Sequence, residues 1–465
     1  MTQNNPLFPP RGALRAVVEY IHNQAPYPIP EVALAAGLGL FAGIAGRVYQ
    51  TPDPMAGLNL YVMVVAATGK GKDAGQIGIH RLMGAVVRGK GDGTLPERAA
   101  AKGFVGPSRF VSEPALLRHA ATISNSFVSI MPEGGKEIRR MTDPRASQHD
   151  RDVCTLWLKM YGSSAHGSVF SGSSYADTAK NIPDIQAPAL SIYAEGTPST
   201  VFANVTEDTM SDGLIPRFLI LESKGEWPEL NRTPQYQPPE DLTEWLGALC
   251  ERALRLNQRN EVVQVLIAPD AEAVLEAFRL ELRRTMEKAN EDVAGSLWSR
   301  SHLRAKKLAS LAAVGVNCDV PTITRDLAVW AINLEMHATN GVSKRVDTGE
   351  VGGKNNDEAK QERELIGQVL RYIRTEFHLL PNNGRFTRPM HQESVIPLSY
   401  LQQNLLQKKA FKDDRAGANA ALKRTIQSFL DADDMQEISR AQLSQMFNKS
   451  GRAFVMVNAA RFLDE

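Results

Sequence analysis

Uninterrupted runs of apolar residues alternate, in the first half of the chain, with segments whose apolar residues recur every three or four positions. A continuous, valine-rich run is typical of a strand buried on both faces of a parallel sheet. The runs are LNLYVMVVAA at 58–67, FVSIM at 127–131, ALSIYA at 189–194 and RFLILE at 217–222. Helical patterns lie between them, at 114–122 and 152–161, and strands that alternate with helices predict an α/β sandwich.

Helices precede the first strand. Leu14, Val17, Val18 and Ile21 share one face of a predicted helix, and prolines separate it from an Ala- and Gly-rich apolar segment at 32–48. That segment is shorter than the roughly 20 apolar residues that a membrane span needs, so a tightly packed helix pair is expected instead. The first residues lack a signal-peptide core. We therefore expect a cytoplasmic protein with no membrane partner.

The second half of the chain has a different pattern. Residues 228–239 are rich in proline and predict a linker, and 240–345 are helical almost throughout. A second, Gly-containing linker is predicted at 346–356. The remainder, 357–465, begins with helices and ends in the strand-like GRAFVMVN, which favours a winged helix. The predicted domains are a helical collar (1–50), an ATPase core (51–227), a helical domain (240–345) and a winged-helix-like DNA-binding domain (357–465).

The amino-acid composition limits the class of protein but does not indicate a binding partner. The 465 residues, 43% hydrophobic and 23% charged, are typical of globular proteins with two or three domains. The formal net charge of +1 excludes a chain that is basic throughout, so any surface for nucleic acid must be local. The three cysteines are far apart and lack zinc-ligand spacing, which argues against a disulfide framework or structural zinc.

The end of the first strand carries the most informative motif. The segment AATGKGKD at 66–73 resembles the phosphate-binding pattern G-x-x-x-x-G-K-[ST], in which backbone N–H groups and a lysine surround phosphate oxygens. Its candidate nucleotide-binding residues are Thr68, Gly69, Lys70, Gly71, Lys72 and Asp73. Ala66 replaces the first glycine, and Asp73 replaces the hydroxyl residue that normally holds Mg²⁺. A carboxylate is also a magnesium ligand, so ATP and Mg²⁺ are the expected cofactors, with Asp73 at the metal. The alternative is an ordinary strand-to-helix turn or a decayed phosphate loop.

Acidic and basic residues follow or begin the later strands. Glu133 comes two residues after FVSIM, where an ATPase holds the residue that polarises the attacking water, and Pro132 occupies the place of the usual aspartate. The third strand ends at Glu195, Gly196 and Thr197, and a polar residue there is a candidate γ-phosphate sensor. Arg217 opens the fourth, where an arginine can reach a neighbouring subunit as an arginine finger. Each has a competing interpretation. Glu133 would be a surface charge or helix cap, the end of the third strand a simple turn, and Arg217 part of a structural salt bridge.

Two further regions contain candidate DNA contacts. Residues 161–185 are rich in Ser and Gly and include Lys180, which would line a ring's pore or act on the neighbouring subunit; a disordered surface loop is the alternative. The second region is a basic segment of the C-terminal module. Its residues are Lys408, Lys409, Lys412, Arg415, Lys423 and Arg424. Positive charge there fits phosphate contacts, although a solvated face of mixed charge is the alternative.

These motifs, in this order, resemble the phage and prophage primase/helicase-like family over residues 8–345. The resemblance rests on PEVALAAGLGLFAGIAGRV, LNLYVMVVAATGKGKD, FVSIMPEGG, APALSIYAEGTP, SDGLIPRFLIL, SRSHLRAKKLASLAAV and ITRDLAVWAINL. It implies a RecA- or superfamily-3-like ATPase core, assembled as a hexameric ring on DNA. It also implies that Lys72 is the loop lysine, Glu133 the acidic strand-end residue and Arg217 the finger. Metal-binding primase motifs are missing, so primer synthesis is not expected.

The sequence therefore predicts an α/β P-loop NTPase core with N-terminal helices, a helical domain and a C-terminal winged helix. The expected function is ATP-dependent translocation on, or unwinding of, single-stranded or forked DNA in phage or mobile-element replication, with other replication proteins as further partners. One rival is a helicase loader or replication initiator that uses ATP as a switch. The other is a DNA-binding scaffold with a decayed phosphate loop.

Overall fold

The computed structural model describes most of the chain. The described residues are 5–89, 96–142, 146–202, 213–225, 227–288, 293–347, 356–381, 384–414, 417–431 and 434–457. Internal contacts divide the chain into two compact units, Met1–Gly352 and Gly353–Glu465. The boundary falls in the segment that the sequence predicts as a linker, of which residues 348–355 lie outside the described part.

The first unit is built around a central parallel sheet. The described strands of the whole unit are β1 (Tyr49–Gln50), β2 (Tyr61–Val65), β3 (Val105–Gly106), β4 (Ser126–Met131), β5 (Val169–Phe170), β6 (Ile185–Gln186), β7 (Ala189–Gly196), β8 (Phe218–Glu222), β9 (Val263–Gln264), β10 (Leu266–Ile267) and β11 (Thr322–Ile323). The central sheet has the order β3-β4-β7-β2-β8, and all its described pairings are parallel. The α/β class with a parallel sheet, predicted from the apolar runs, is confirmed.

Helices cover both faces of this sheet. They are α1 (Ala13–Asn23), α2 (Pro30–Ala45), α3 (Ala74–Arg88), α4 (Pro96–Ala100), α5 (Glu113–Thr122), α6 (Gly134–Thr142), α7 (Gln148–Gly162), α8 (Pro198–Val201), α9 (Glu240–Arg259), α10 (Pro269–Lys288), α11 (Val293–Trp298), α12 (Ser301–Val316) and α13 (Arg325–Asp347). Because side chains alternate along a strand, Val62 and Val64 pack with α1, α2, α3 and the helices of 240–345. Tyr61, Met63 and Val65 pack on the opposite face with α5, α6 and α7.

The glycine- and alanine-rich segment forms α2, a helix buried almost all round. It lies directly on the sheet, since a methyl group added to Gly43 would lie 2.8 Å from the Val128 backbone nitrogen. In the described part of the chain, no helix combines the length and hydropathy needed to cross a bilayer.

The second unit has its own hydrophobic core. Its elements are α14 (Asn356–Arg374), α15 (Arg388–Gln392), β12 (Ile396–Pro397), α16 (Leu398–Leu405), α17 (Lys409–Lys412), α18 (Ala418–Asp431), β13 (Met435–Ile438), α19 (Arg440–Phe447) and β14 (Ala453–Met456). The strands form an antiparallel sheet in the order β12-β14-β13. Tyr372, Phe386 and Tyr400 pack edge to face in the hydrophobic core of this unit, with ring centroids 4.9–5.6 Å apart.

Candidate nucleotide site

The phosphate-loop candidate connects β2 to α3 at the carboxyl edge of the sheet. Gly69 and Gly71 have φ values of +83° and +92°, a backbone region that glycine enters without steric cost. Helix α3 begins at Ala74, and the N–H groups of Ala74 and Gly75 donate to the carbonyl oxygens of Gly71 and Lys72 at 3.3 and 3.1 Å, which joins the start of the helix to the loop. The close approach of α3 to Tyr193 of β7 needs Gly75, because any side chain there would overlap the Tyr193 hydroxyl.

Lys72 folds back over the loop. Its Nζ atom donates hydrogen bonds to the carbonyl oxygens of Ala66 and Ala67, both at 2.9 Å. Partial burial lowers the pKa of Lys72, while the negative charges of Glu195, Glu133 and Asp73 act in the opposite direction. The ammonium group therefore lies against the loop backbone, near the carboxyl groups of Glu195, Glu133 and Asp73.

Glu195 is the buried member of these three. It ends β7, the strand between β2 and β4, and lies in register with Val64 of β2. Only 4% of Glu195 is exposed, and its Oε1 accepts a hydrogen bond of 3.0 Å from the Tyr193 hydroxyl. Burial is the main reason that its pKa rises to about 8, and the nearby charges of Asp73 and Glu133 raise it further.

Glu133 lies at the same edge of the sheet but in solvent. It follows β4 just before α6, 67% of its side chain is exposed, and it forms an ion pair of 2.7 Å with Lys136. A water molecule can reach this carboxylate freely, unlike that of Glu195. The carboxyl edge thus presents one exposed and one buried glutamate to the region of Lys72.

The remaining loop lysine has a different contact. Lys70 is buried, and its Nζ donates to the Gly225 carbonyl oxygen at 2.7 Å, which ties the loop to the segment after β8. Thr68, Gly69 and Asp73 are exposed at the mouth of the loop. Lys72 is therefore the loop lysine whose ammonium group lies over the loop itself.

Arg217 and Lys180 lie away from this loop within one chain. Arg217 directly precedes β8 at the amino edge of the sheet, donates to the Gly213 carbonyl oxygen at 2.6 Å and lies 5.9 Å from the Tyr161 ring centroid. Burial lowers its pKa, and the charge of Arg300 adds to this. Lys180 lies in a surface excursion that returns at the amino end of β7, and it forms an ion pair of 3.3 Å with Asp177. Either residue would have to act on the site of another subunit.

The Ser- and Gly-rich segment 161–185 contains local structure. β5 and β6 pair in antiparallel fashion, Ser173 bridges Ile182, and the buried Ser164 hydroxyl donates to Asn59 Oδ1 at 2.7 Å. The described excursion is therefore an ordered hairpin-like feature rather than a disordered loop.

Two features of the first unit were not predicted from the sequence, the pairing of Tyr193 with Glu195 at the candidate site and the buried Lys307 at the opposite edge of the sheet. Tyr193 and Glu195 are two residues apart on one strand and so share a face, a signal that was present in ALSIYAEG. Lys307 gave no comparable signal. It is buried, donates to the Asn59 carbonyl and Oδ1 oxygens at 2.9 and 2.8 Å, and has its pKa lowered to about 7 by burial.

The basic residues of the C-terminal unit are exposed but partly paired. Lys408 lies 3.3 Å from Glu364, and Arg424 lies 2.8 Å from Asp414. Lys409, Lys412 and Lys423 are exposed, whereas Arg415 lies outside the described residues.

A metal site built from protein ligands alone is not found among the described side chains, where no three His, Cys, Asp or Glu residues have the necessary geometry. Magnesium with a nucleotide needs only one or two carboxylates besides phosphates. Asp73, the last residue of the loop, can supply one such carboxylate.

Comparison with known proteins adds no identification. Models of protein families give no match to this chain, and neither does any curated protein. The class that the fold itself defines is an α/β protein with a central parallel sheet and a second compact unit.

Proposed function

We propose that the protein is a P-loop ATPase that moves along or unwinds DNA in phage or mobile-element replication. The observation that carries the proposal is the position of Lys72. Its ammonium group lies over a glycine loop between a buried parallel strand and the start of a helix, facing Glu195, Glu133 and Asp73. This is the set of groups that phosphoryl transfer needs: donors for phosphate, a ligand for Mg²⁺ and a carboxylate for water.

The strand order supports a ligand at this edge. The chain leaves β2 towards β3 and β4 on one side, whereas it leaves the adjacent β7 towards β8 on the other side of β2. Connections that diverge from neighbouring strands open a crevice at their carboxyl ends, which is where open α/β sheets bind ligands. The loop at 66–73 lies at the mouth of this crevice.

The chemistry follows from the charges of the site. Lys72 and the backbone of the loop at 66–73 would hold the β and γ phosphates. Bound Mg²⁺ would neutralise developing phosphate charge, with Asp73 as its protein ligand. Glu133, which is exposed, would orient the attacking water, and Glu195 would report the γ-phosphate through Tyr193. Arg217 and Lys180, at the opposite edge, would contribute to a site only across a subunit boundary in a ring.

The C-terminal unit supports the DNA part of the proposal. Its helices and small antiparallel sheet fit a winged helix, with α18 as the helix that meets DNA. Asn419, Lys423 and Gln427 are exposed and spaced by four residues, so they share one face of α18. Lys409 and Lys412 of α17 add positive charge suited to phosphate contacts, which supply most non-specific affinity.

The test is steady-state ATP hydrolysis and nucleotide binding by the full chain, with and without single-stranded DNA. We expect turnover that rises with DNA in the wild type and is lost in Lys72→Ala. The control Lys159→Ala, an exposed lysine on α7, should behave as the wild type. ATP binding without hydrolysis would favour the helicase loader or replication initiator. If the protein binds no nucleotide, the remaining candidate is the DNA-binding scaffold with a decayed phosphate loop.

DNA binding is tested with the same full chain. Changing Lys409, Lys412 and Lys423 together to alanine should weaken DNA binding and lower the slope of log affinity against log salt by about one for each phosphate that is no longer neutralised. Lys102→Ala with Lys159→Ala is the matched control, because both are exposed lysines of the first unit. Unchanged binding by the triple variant would remove DNA binding from this face.

A further inference from the structure

The segment after β8 is anchored beside the candidate phosphate loop, although its composition predicts a linker. The backbone N–H of Asn231 donates to the Pro26 carbonyl oxygen at 2.8 Å, and its side-chain amide donates to the carbonyl oxygens of Asn23 and Ala25. The Gln235 N–H donates to Asn23 as well. These bonds join 227–239 to the turn between α1 and α2, and we call the two together the platform.

Two aromatic side chains of the platform flank the glycines of the loop. A methyl group added to Gly69 would lie 3.2 Å from the Trp227 ring, and one added to Gly71 would lie 3.4 Å from Tyr27 Cβ. Trp227 is 61% exposed and Tyr27 is 44% exposed. Neither ring therefore contributes mainly to the core, although the Trp227 ring lies against Gly69 and the Tyr27 backbone and Cβ lie against Gly71.

The position of the platform is fixed from several sides. Lys70 bonds the Gly225 carbonyl, Arg81 lies 4.7 Å from the Tyr236 ring centroid, and the Tyr20 hydroxyl donates to the Tyr236 carbonyl at 2.9 Å. A rigid aromatic surface costs little conformational entropy when a ligand stacks on it. Nucleobases present a flat face that stacks on aromatic side chains.

We propose that Trp227, assisted by Tyr27, stacks on the base of the nucleotide whose phosphates rest on the loop at 66–73. The inference rests on the proposed function, because it assumes that the loop binds phosphates. Every base has a π face, so stacking alone discriminates weakly among them. ATP and GTP are therefore expected to bind within a few-fold of each other.

Calorimetric titration of the full chain with ATP and with inorganic tripolyphosphate tests the base site separately from the phosphate site. Trp227→Ala should weaken ATP roughly 5- to 100-fold, as expected for the loss of one stacked base, and should leave tripolyphosphate unchanged. Trp227→Phe should recover most of the ATP affinity. Leu230→Ala, at an exposed apolar residue of the same segment, is the matched control and should bind both ligands as the wild type does.

The outcomes separate the two proposals. ATP affinity in Trp227→Ala within twofold of wild type, while Lys72→Ala loses both ligands, would overturn the base site and leave the phosphate site standing. An equal loss of ATP and tripolyphosphate in Trp227→Ala would also overturn it, since the ring would then act on the loop. If the wild type binds neither ligand, the proposed function fails and the base site fails with it.

Discussion

At the scale of single residues, burial of the Glu195 carboxyl group makes stability depend on pH. Its pKa is about 8 in the folded protein against an ordinary value of 4.5, so the folded state holds the proton more tightly than the unfolded state does. Below about pH 4.5 the group is protonated in both states, and its contribution to the free energy of unfolding is most favourable there. That contribution is lost as the pH rises through 8, where the folded protein must hold a buried charge.

We expect Glu195→Gln to be more stable than the wild type at pH 9, by about 1 kcal/mol or more, since each pKa unit corresponds to about 1.4 kcal/mol. The amide oxygen still accepts from the Tyr193 hydroxyl, and the advantage should shrink towards pH 5. Urea unfolding followed by tryptophan fluorescence measures this, because all five tryptophans belong to the first unit. The exposed Glu229→Gln is the control, and equal stability of Glu195→Gln and wild type at pH 9 would contradict a buried carboxylate.

At the scale of elements, the contact between α2 and the sheet depends on small residues. Gly39 and Gly43 face Tyr193 and Val128, and added methyl groups would lie 3.0 Å from Tyr193 Cβ and 2.9 Å from Val128 Cβ. Glycine normally lowers helix stability, so its use here reflects the close approach of the helix to β4 and β7. The same approach positions Tyr193 beneath the start of α3.

Gly43→Ala should therefore destabilise the first unit by about 1–3 kcal/mol through overpacking against Val128. Gly84→Ala, on α3, is the matched change in an open place, since its methyl group would meet only Arg88 Nη1 at 3.6 Å. That variant should gain up to about 1 kcal/mol from helix propensity. Urea unfolding by fluorescence compares the two, and a stabilising Gly43→Ala would disprove the close packing.

At the scale of the whole molecule, the two units have separate hydrophobic cores. The core of the second unit surrounds Tyr372, whose hydroxyl donates to the Val395 carbonyl at 2.9 Å. A compact segment with its own hydrophobic core is expected to fold independently.

The fragment 353–465 should consequently fold alone and unfold cooperatively on heating, as followed by far-ultraviolet circular dichroism. Tyr372→Ala in the fragment should lower its stability by about 3–5 kcal/mol, because a large buried ring is removed. The exposed Leu379→Ala is the comparison, and it should change little. A fragment without a cooperative transition would show that the second unit needs the first.

Local information in the sequence was enough to predict the class of fold and the place of the loop. The runs 58–67 and 189–194 are almost entirely apolar because both faces of β2 and β7 are covered, and that requirement acts residue by residue. Gly69 and Gly71 likewise mark the loop, because their positive φ values are a local demand. The excursion at 161–185 was harder to interpret, because its order comes from β5–β6 pairing and from Ser164 bonding a distant Asn59.

Only the tertiary structure decided which groups face one another. Glu195 lies near Lys72 because the register of β7 beside β2 and the burial of that edge bring them together, and no spacing along the chain encodes either. Arg217 directly precedes β8, and the direction of this parallel strand places it at the edge opposite the loop. The proline-rich 228–239 became part of the platform through hydrogen bonds to residues some 200 positions earlier. Local pattern therefore determined the elements of this protein, whereas long-range pairing and burial determined its candidate site.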